Sequence, residues 1–187
     1  MTSTSDLTSE AGAVVDAKRF RDLMARVCAP VTIVTTADAD GPHGATASSF
    51  ASLSLDPPLV TVAFDRRSAL LGRIIAAGRF GVNVLHHGQD DLAMRFASRG
   101  EDRFAATRWH TDSGLPRVEG SAGWVACDLR EAVEGGDHLL LIGQVTKACN
   151  AEKAPLVYAN RVFGTHSRFN ERPRRSIVDQ IAACISD

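Results

Sequence analysis

Few side chains in this sequence have both the type and the neighbours to do chemistry. Thr46, Ser48 and Ser49 lie in the run Gly44-Ala-Thr-Ala-Ser-Ser-Phe50. That run lacks the G-x-S-x-G elbow that presents a nucleophilic serine. Hydroxyls among small residues on a strand edge suit a different task, hydrogen bonding to the rim of a flat ligand that approaches the backbone. The same composition also suits two closely packed sheets. Asp65-Arg66-Arg67-Ser68 precedes an apolar run, so Ser68 can cap a helix whose free N–H groups carry partial positive charge. Two arginines beside it make a phosphate seat, or a capped surface helix with solvated arginines. His138 leaves the turn Glu134-Gly-Gly-Asp137, where its imidazole is either solvated or oriented by Asp137.

Other candidates carry less. His86-His87 with Asp90 and Asp91 could suggest a metal, but adjacent residues on an extended segment point to opposite faces. No metal site is expected. His43, His110 and His166 read as ordinary polar residues. Cys28, Cys127, Cys149 and Cys184 lie far apart without a CxxC pair, which points to buried free thiols and away from zinc or a disulfide framework. The G-x-G-x-x-G of a dinucleotide-binding fold is absent, as is a P-loop.

The elements that must position these residues follow from periodicity. Residues 1–15 are rich in Ser, Thr and small residues and read as a flexible arm. A helix starts at Asp16, with Phe20, Leu23, Met24 and Val27 on one stripe, and Pro30 ends it. Val31 to Thr36 reads as a strand, and Asp38-Ala-Asp-Gly-Pro42 as a turn into an antiparallel partner carrying Thr46 to Ser49. Pro57-Pro58 interrupts the next ladder, and Leu59 to Phe64 forms a strand. A helix over 69–77 closed by Gly78, a strand over 80–85 and a helix over 90–99 follow. Residues 100–120 read as an irregular loop of the kind that is often functional. Two strands, 124–132 and 138–148, form a hairpin, and 156–163 could hold a last strand. Ser176-Ile-Val-Asp179 opens a C-terminal helix with Ile177, Ile181 and Ile185 on one stripe. About six short strands with three or four helices favour a small, nearly closed barrel over a parallel sheet.

At 187 residues, 44% hydrophobic and 23% charged, the chain fits one domain with a real core. The domain is expected over 16–170, with the arm at 1–15 and the helix at 171–187. A net charge of −1 offers no basic excess for nucleic acid or an anionic membrane. No signal pattern or membrane-length apolar run stands out, so the expected location is cytoplasmic.

The order of motifs then resembles a known family. Val31-Thr-Ile-Val-Thr-Thr36, the segment GATASSFASLSLDPPLV, Gly78-Arg-Phe-Gly-Val-Asn-Val-Leu85 and Gly136-Asp-His138 are similar to the flavin reductase family, over roughly Phe20 to His166. These are the reductase components of two-component flavin monooxygenases. The resemblance implies a mainly β chain with peripheral helices, the FMN-binding split barrel, and a homodimer. It implies FMN or FAD as cofactor, NADH or NADPH as hydride donor, and a separate monooxygenase that receives reduced flavin. It places Thr46, Ala47, Ser48 and Ser49 at the isoalloxazine edge and Ala63, Phe64 and Asp65 near the ring or ribityl chain. It sets Arg67 and Ser68 at the flavin phosphate, and His138 where it helps place the nicotinamide. Ala69-Leu70 departs from the hydroxyl or bulky residues common after that serine, which leaves FMN against FAD open. Cys28-Ala-Pro30 departs from a commoner Thr-Gly pair. Arg103-Phe104 matches a position near the dimer contact. The alternative within the same fold is a tight flavin-binding electron carrier or redox sensor without nucleotide turnover.

Overall fold

Alternating apolar residues and short turns wind most of this chain into antiparallel strands, and a computed structural model describes residues 15–98 and 102–165. The first hairpin pairs β2 (Thr32–Asp38) with β3 (Gly41–Ala47). Next come β4 (Ala51–Leu55) and β5 (Pro58–Asp65), then helix α2 (Ala69–Ala77), preceded in the chain by α1 (Ala17–Met24) and a two-residue β1 (Ala29–Pro30). After α2 the chain forms β6 (Arg79–Val84), α3 (Asp90–Ala97), and the small hairpin β7 (Trp109–Asp112) and β8 (Leu115–Val118). The long hairpin β9 (Gly123–Gly135) and β10 (His138–Asn150) and the short β11 (Val157–Ala159) and β12 (Val162–Gly164) complete the described elements.

Seven strands form one antiparallel sheet in the order β3-β2-β6-β9-β10-β5-β4. Its two end strands, β3 and β4, are consecutive in the chain and joined only by Ser48, Ser49 and Phe50. So short a link forces the sheet to curl until its ends meet. Ser49 fastens the meeting: its hydroxyl donates to the Ala63 carbonyl and accepts from the Ala63 N–H, both at 2.9 Å.

The barrel interior is filled by residues that alternate along the strands, among them Val34, Val60, Val62, Phe80, Val82 and Leu141. Gly143 of β10 is required by this packing. A Cβ there would lie 2.4 Å from Phe80 Cζ and 2.9 Å from Cys127 Cβ. Of the free thiols described, Cys127 is buried as expected, but Cys149 is half-buried and Cys28 exposed; burial pushes the Cys127 thiol up to about 12, so it stays protonated and inert. Helix α2 plugs one end with Leu70, Leu71 and Ile74. Its bounds, the Ser68 cap accepting from Leu71 N–H and the left-handed Gly78 at φ 65° match the sequence expectation. Helix α3 packs Ala93 and Phe96 into a second cluster with Ile33, Leu85 and Phe104.

Several expectations are corrected. The first helix ends at Met24, well before Pro30, and Phe20, Leu23, Met24 and Val27 stay exposed. Pro57-Pro58 does not break the ladder: Leu55 pairs with Pro58 across a turn that contains a cis Asp56–Pro57 peptide. The region 100–120 is not wholly irregular. Ser113 and Gly114, both with positive φ, turn β7 into β8, whose Leu115 and Val118 are buried. The strand expected over 156–163 is two, turned at Asn160 and Arg161. Twelve strands are present among the described residues instead of about six, while the three helices there agree with the three or four expected. The N-terminal arm and the Ser176–Asp179 helix lie outside the described residues. Among the described residues no helix is long and apolar enough to cross a membrane.

Candidate functional site

The residues singled out in the sequence converge on one rim of the barrel, and hydrogen bonds trace how. Ser49 holds Ala63; two residues on, Asp65 stands opposite His138 in the β5–β10 register. Arg66 N–H donates to the Asp137 carbonyl at 3.0 Å, and its Nε donates to the Gly136 carbonyl at 2.9 Å. The end of β5 is thereby sewn to the β9–β10 turn. Ser68 N–H returns to the Asp65 carbonyl at 2.9 Å, which sets the N-terminus of α2 beside the same rim.

Within that rim the hydroxyls divide by role. Ser48 is exposed and its hydroxyl has no partner among the described residues, whereas Ser49 closes the barrel. Thr46 turns its hydroxyl to the Ala93 carbonyl of α3 at 2.6 Å, and Ala47 points into the core. Phe64 is also a core residue. The strand edge remains usable through the backbone. Leu85 N–H bonds to the Val31 carbonyl, so Val31, Ile33 and Thr35 of β2 face β6 and Thr32, Val34 and Thr36 face β3. The amides of Gly44 and Thr46 therefore point to the outer edge of β3. The Gly44 carbonyl accepts there from Arg103 Nη1 at 2.6 Å.

Charges are paired across the rim. Arg67 grips Asp65 with two bonds, Nε to Oδ1 at 3.0 Å and Nη2 to Oδ2 at 2.8 Å. The guanidinium and the Arg67 backbone N–H hold the Asp65 carboxyl well below its ordinary range, and the carboxylate raises Arg67 in turn. The Asp137 carboxylate lies 2.7 Å from His138 Nδ1, and this bond lowers the Asp137 carboxyl. Nδ1 is thus engaged, while Nε2 has no partner among the described residues.

Beside the rim, a cleft of about 590 Å³ opens along the edge of β3. Ala69, Leu70 and Arg73 of α2 form one wall, Asp102 to Ala105 and Trp109 the other, and Asp40 with Pro42 to Gly44 the end. Gly44 lets the second wall close in: a Cβ would stand 2.9 Å from Phe96 and 3.3 Å from Phe104. Arg73 binds Asp38 and Asp40, His43 Nε2 lies 2.8 Å from Asp38 Oδ1, and the bonds from His43 and Arg73 lower the Asp38 carboxyl to about 2. Sequence reading placed Arg103 near a dimer contact and missed Arg73 and His43, since nothing local links three segments so far apart. The His86 and His87 rings stand 5.6 Å apart at 77° and share no cluster of metal-ligand residues among those described.

A family model for the flavin reductase like domain matches residues 24–167. The chain belongs to the flavin reductase family. A protein of Rhizobium meliloti named as a probable flavin reductase is 41% identical over 81% of this chain, which spans 50% of that relative's length. The reductase subunit HsaB of a flavin-dependent monooxygenase from Mycobacterium tuberculosis is 39% identical over 71% of this chain and 72% of its own. Among solved structures, the NADH:FAD oxidoreductase SgcE6 of Streptomyces globisporus superposes with a TM-score of 0.76. It is 30% identical, covering 84% of this chain and 99% of that one. In this flavin reductase the donor set suits a flat heterocycle with an anionic tail. Outward amides at Gly44 and Thr46, the free Ser48 hydroxyl and the α2 N-terminus provide neutral donors and one positive end, with no acid–base dyad required.

Proposed function

We propose that this flavin reductase passes hydride from NADH or NADPH to FMN or FAD and supplies reduced flavin to a separate monooxygenase component. The observation that carries the reading is the continuous rim: Ser48, Ala63, Asp65, Ser68 and His138 come from four segments and stand beside one open strand edge. Bound flavin supplies the hydride acceptor, and the protein supplies position and electrostatics.

Each residue then has a task. The outward Thr46 amide and the Ser48 hydroxyl donate to the polar rim of the ring, where negative charge grows during reduction. Ala63 keeps the wall low, so the ring can approach the backbone. Ser49 and Thr46 act through the fold: Ser49 holds β3 against β5, and Thr46 holds it against α3. Ser68 and the first turn of α2 face the phosphate. Arg67 adds its remaining N–H donors while Asp65 holds its guanidinium in place. Asp137 orients the His138 imidazole, which presents Nε2 to the nicotinamide carboxamide. Close stacking of two rings is the main demand of hydride transfer, and the open rim provides for it. We read the protein as a homodimer, following the family resemblance, and as cytoplasmic, following the sequence pattern.

The deciding experiment is anaerobic oxidation of NADH and NADPH at 340 nm with FMN and FAD added in turn. Flavin bleaching with one nucleotide supports the reductase. Flavin binding without nucleotide oxidation replaces it with an electron carrier or sensor, and absence of flavin binding rejects both.

A further inference from the structure

The geometry points to the cleft along β3 as the seat of an adenylate, the adenosine monophosphate half of FAD, which makes this enzyme FAD-selective. The inference rests on the reductase reading and extends it past the phosphate at α2. Ser68 caps that helix, and the next two residues, Ala69 and Leu70, already line the cleft. FMN ends at its phosphate. A dinucleotide continues through a second phosphate to adenosine, and from Ser68 the open continuation is this cleft.

The cleft has the chemistry for that half-molecule. At about 590 Å³ it lies within the range of roughly 300–1,000 Å³ found for small-molecule pockets. Trp109 and Phe104, packed edge to face with centroids 5.4 Å apart, and Pro42 offer apolar surface to a base. Asp40, largely exposed at the mouth, and His43 offer polar groups to ribose hydroxyls. Arg73 is matched by Asp38 and Asp40, but Arg103 has no carboxylate partner among the described residues. Arg103 instead holds the backbone carbonyls of Gly44 and Ser98. Asp102, its neighbour, is turned back onto the N–H groups of Phe104 and Ala105. Asp102 and Arg103 balance in total charge, and the Arg103 guanidinium, with no ion-pair partner among the described residues, is the group of this wall that faces the second phosphate.

NADH also carries an adenylate, and the experiment separates the two sources. Kd values for FMN and FAD are measured by flavin fluorescence on flavin-free protein, with 5′-AMP binding followed by calorimetry. Ala105→Trp, on an exposed position of the cleft wall, serves as a plug. Wild type is expected to bind FAD at least tenfold more tightly than FMN and to bind 5′-AMP. The plugged variant should lose 5′-AMP binding, and its FAD preference should collapse to within twofold. Equal FMN and FAD affinity in wild type overturns the assignment, as does a preference that survives the plug. A plug that raises KM for NADH, but not for reduced nicotinamide mononucleotide, and spares the flavin ratio gives the cleft to the pyridine nucleotide and overturns it too. Failure to bind either flavin would reject the reductase reading itself, a result distinct from equal binding.

Discussion

Ser48 and Ser49 are neighbours of one type, and the structure gives them opposite work, so a pair of alanine substitutions separates fold from function. Ser49→Ala removes one donated and one accepted bond to Ala63, each 2.9 Å long. A protein hydrogen bond contributes about 0.5–1.5 kcal/mol net, and the exposure of Ser49 lets water replace part of it. The expected loss is about 1–2 kcal/mol. At roughly 2–4 °C per kcal/mol for a domain of this size, Tm should fall by about 2–8 °C. Ser48→Ala removes a hydroxyl with no partner among the described residues, so Tm should stay within about 1 °C. If that hydroxyl donates to the flavin rim, flavin Kd should rise about 3- to 10-fold, the equivalent of one neutral hydrogen bond. Differential scanning fluorimetry of the flavin-free protein gives the first quantity and fluorescence quenching of titrated flavin the second. Equal Tm losses in the two variants, or an unchanged flavin Kd in Ser48→Ala, would refute the division of labour.

Other substitutions test separate parts of the argument. His138→Ala should raise KM for the pyridine nucleotide about tenfold while flavin Kd moves less than twofold; Asp137→Asn should shift the same KM by a smaller factor, read in steady-state anaerobic assays. Gly143→Ala pushes a methyl against Phe80, which is fully buried, and should cost about 1–3 kcal/mol in urea unfolding, a loss absent if the strand simply shifts. Asp112, clamped by Lys147 and Arg117, has its carboxyl lowered to about 2 from an ordinary 3.8. Its contribution to stability is therefore complete above about pH 4 and is lost as pH falls towards 2. Asp112→Asn should flatten that part of a Tm-against-pH curve, and an unaltered curve would show the clamp to be idle.

Much of the fold was legible because it is written in local terms. The Ser68 cap, the apolar turns of Ala69 to Ala77 and the closing Gly78 specify α2 without reference to anything distant. The apolar, β-branched run from Leu59 to Phe64 and the Gly-Gly-Asp turn before His138 announce strands and a hairpin. Short hairpins were lost where a proline obscured the pattern, as at Pro58 and Pro116, because composition does not say which edge of the ladder a missing N–H faces.

By itself, then, the sequence determined the longer strands, the helix capped by Ser68, and the run of small hydroxylated residues from Gly44 to Ser49. Barrel closure decided which of those residues is free to use its side chain. It brings Ser49 to Ala63 across 14 residues and Arg66 to Gly136 across 70. Those contacts spend Ser49, lock the rim, and leave Ser48 exposed. Pairing with Asp65 is local, yet only the placed carboxylate shows that Arg67 is already engaged. The cleft belongs wholly to tertiary structure, since residues 40–44, 69–73 and 103–109 share no pattern until β3 becomes an edge with α2 on one side and Arg103 on the other. Periodicity is a property of neighbours; a cavity is a property of distant segments packed together.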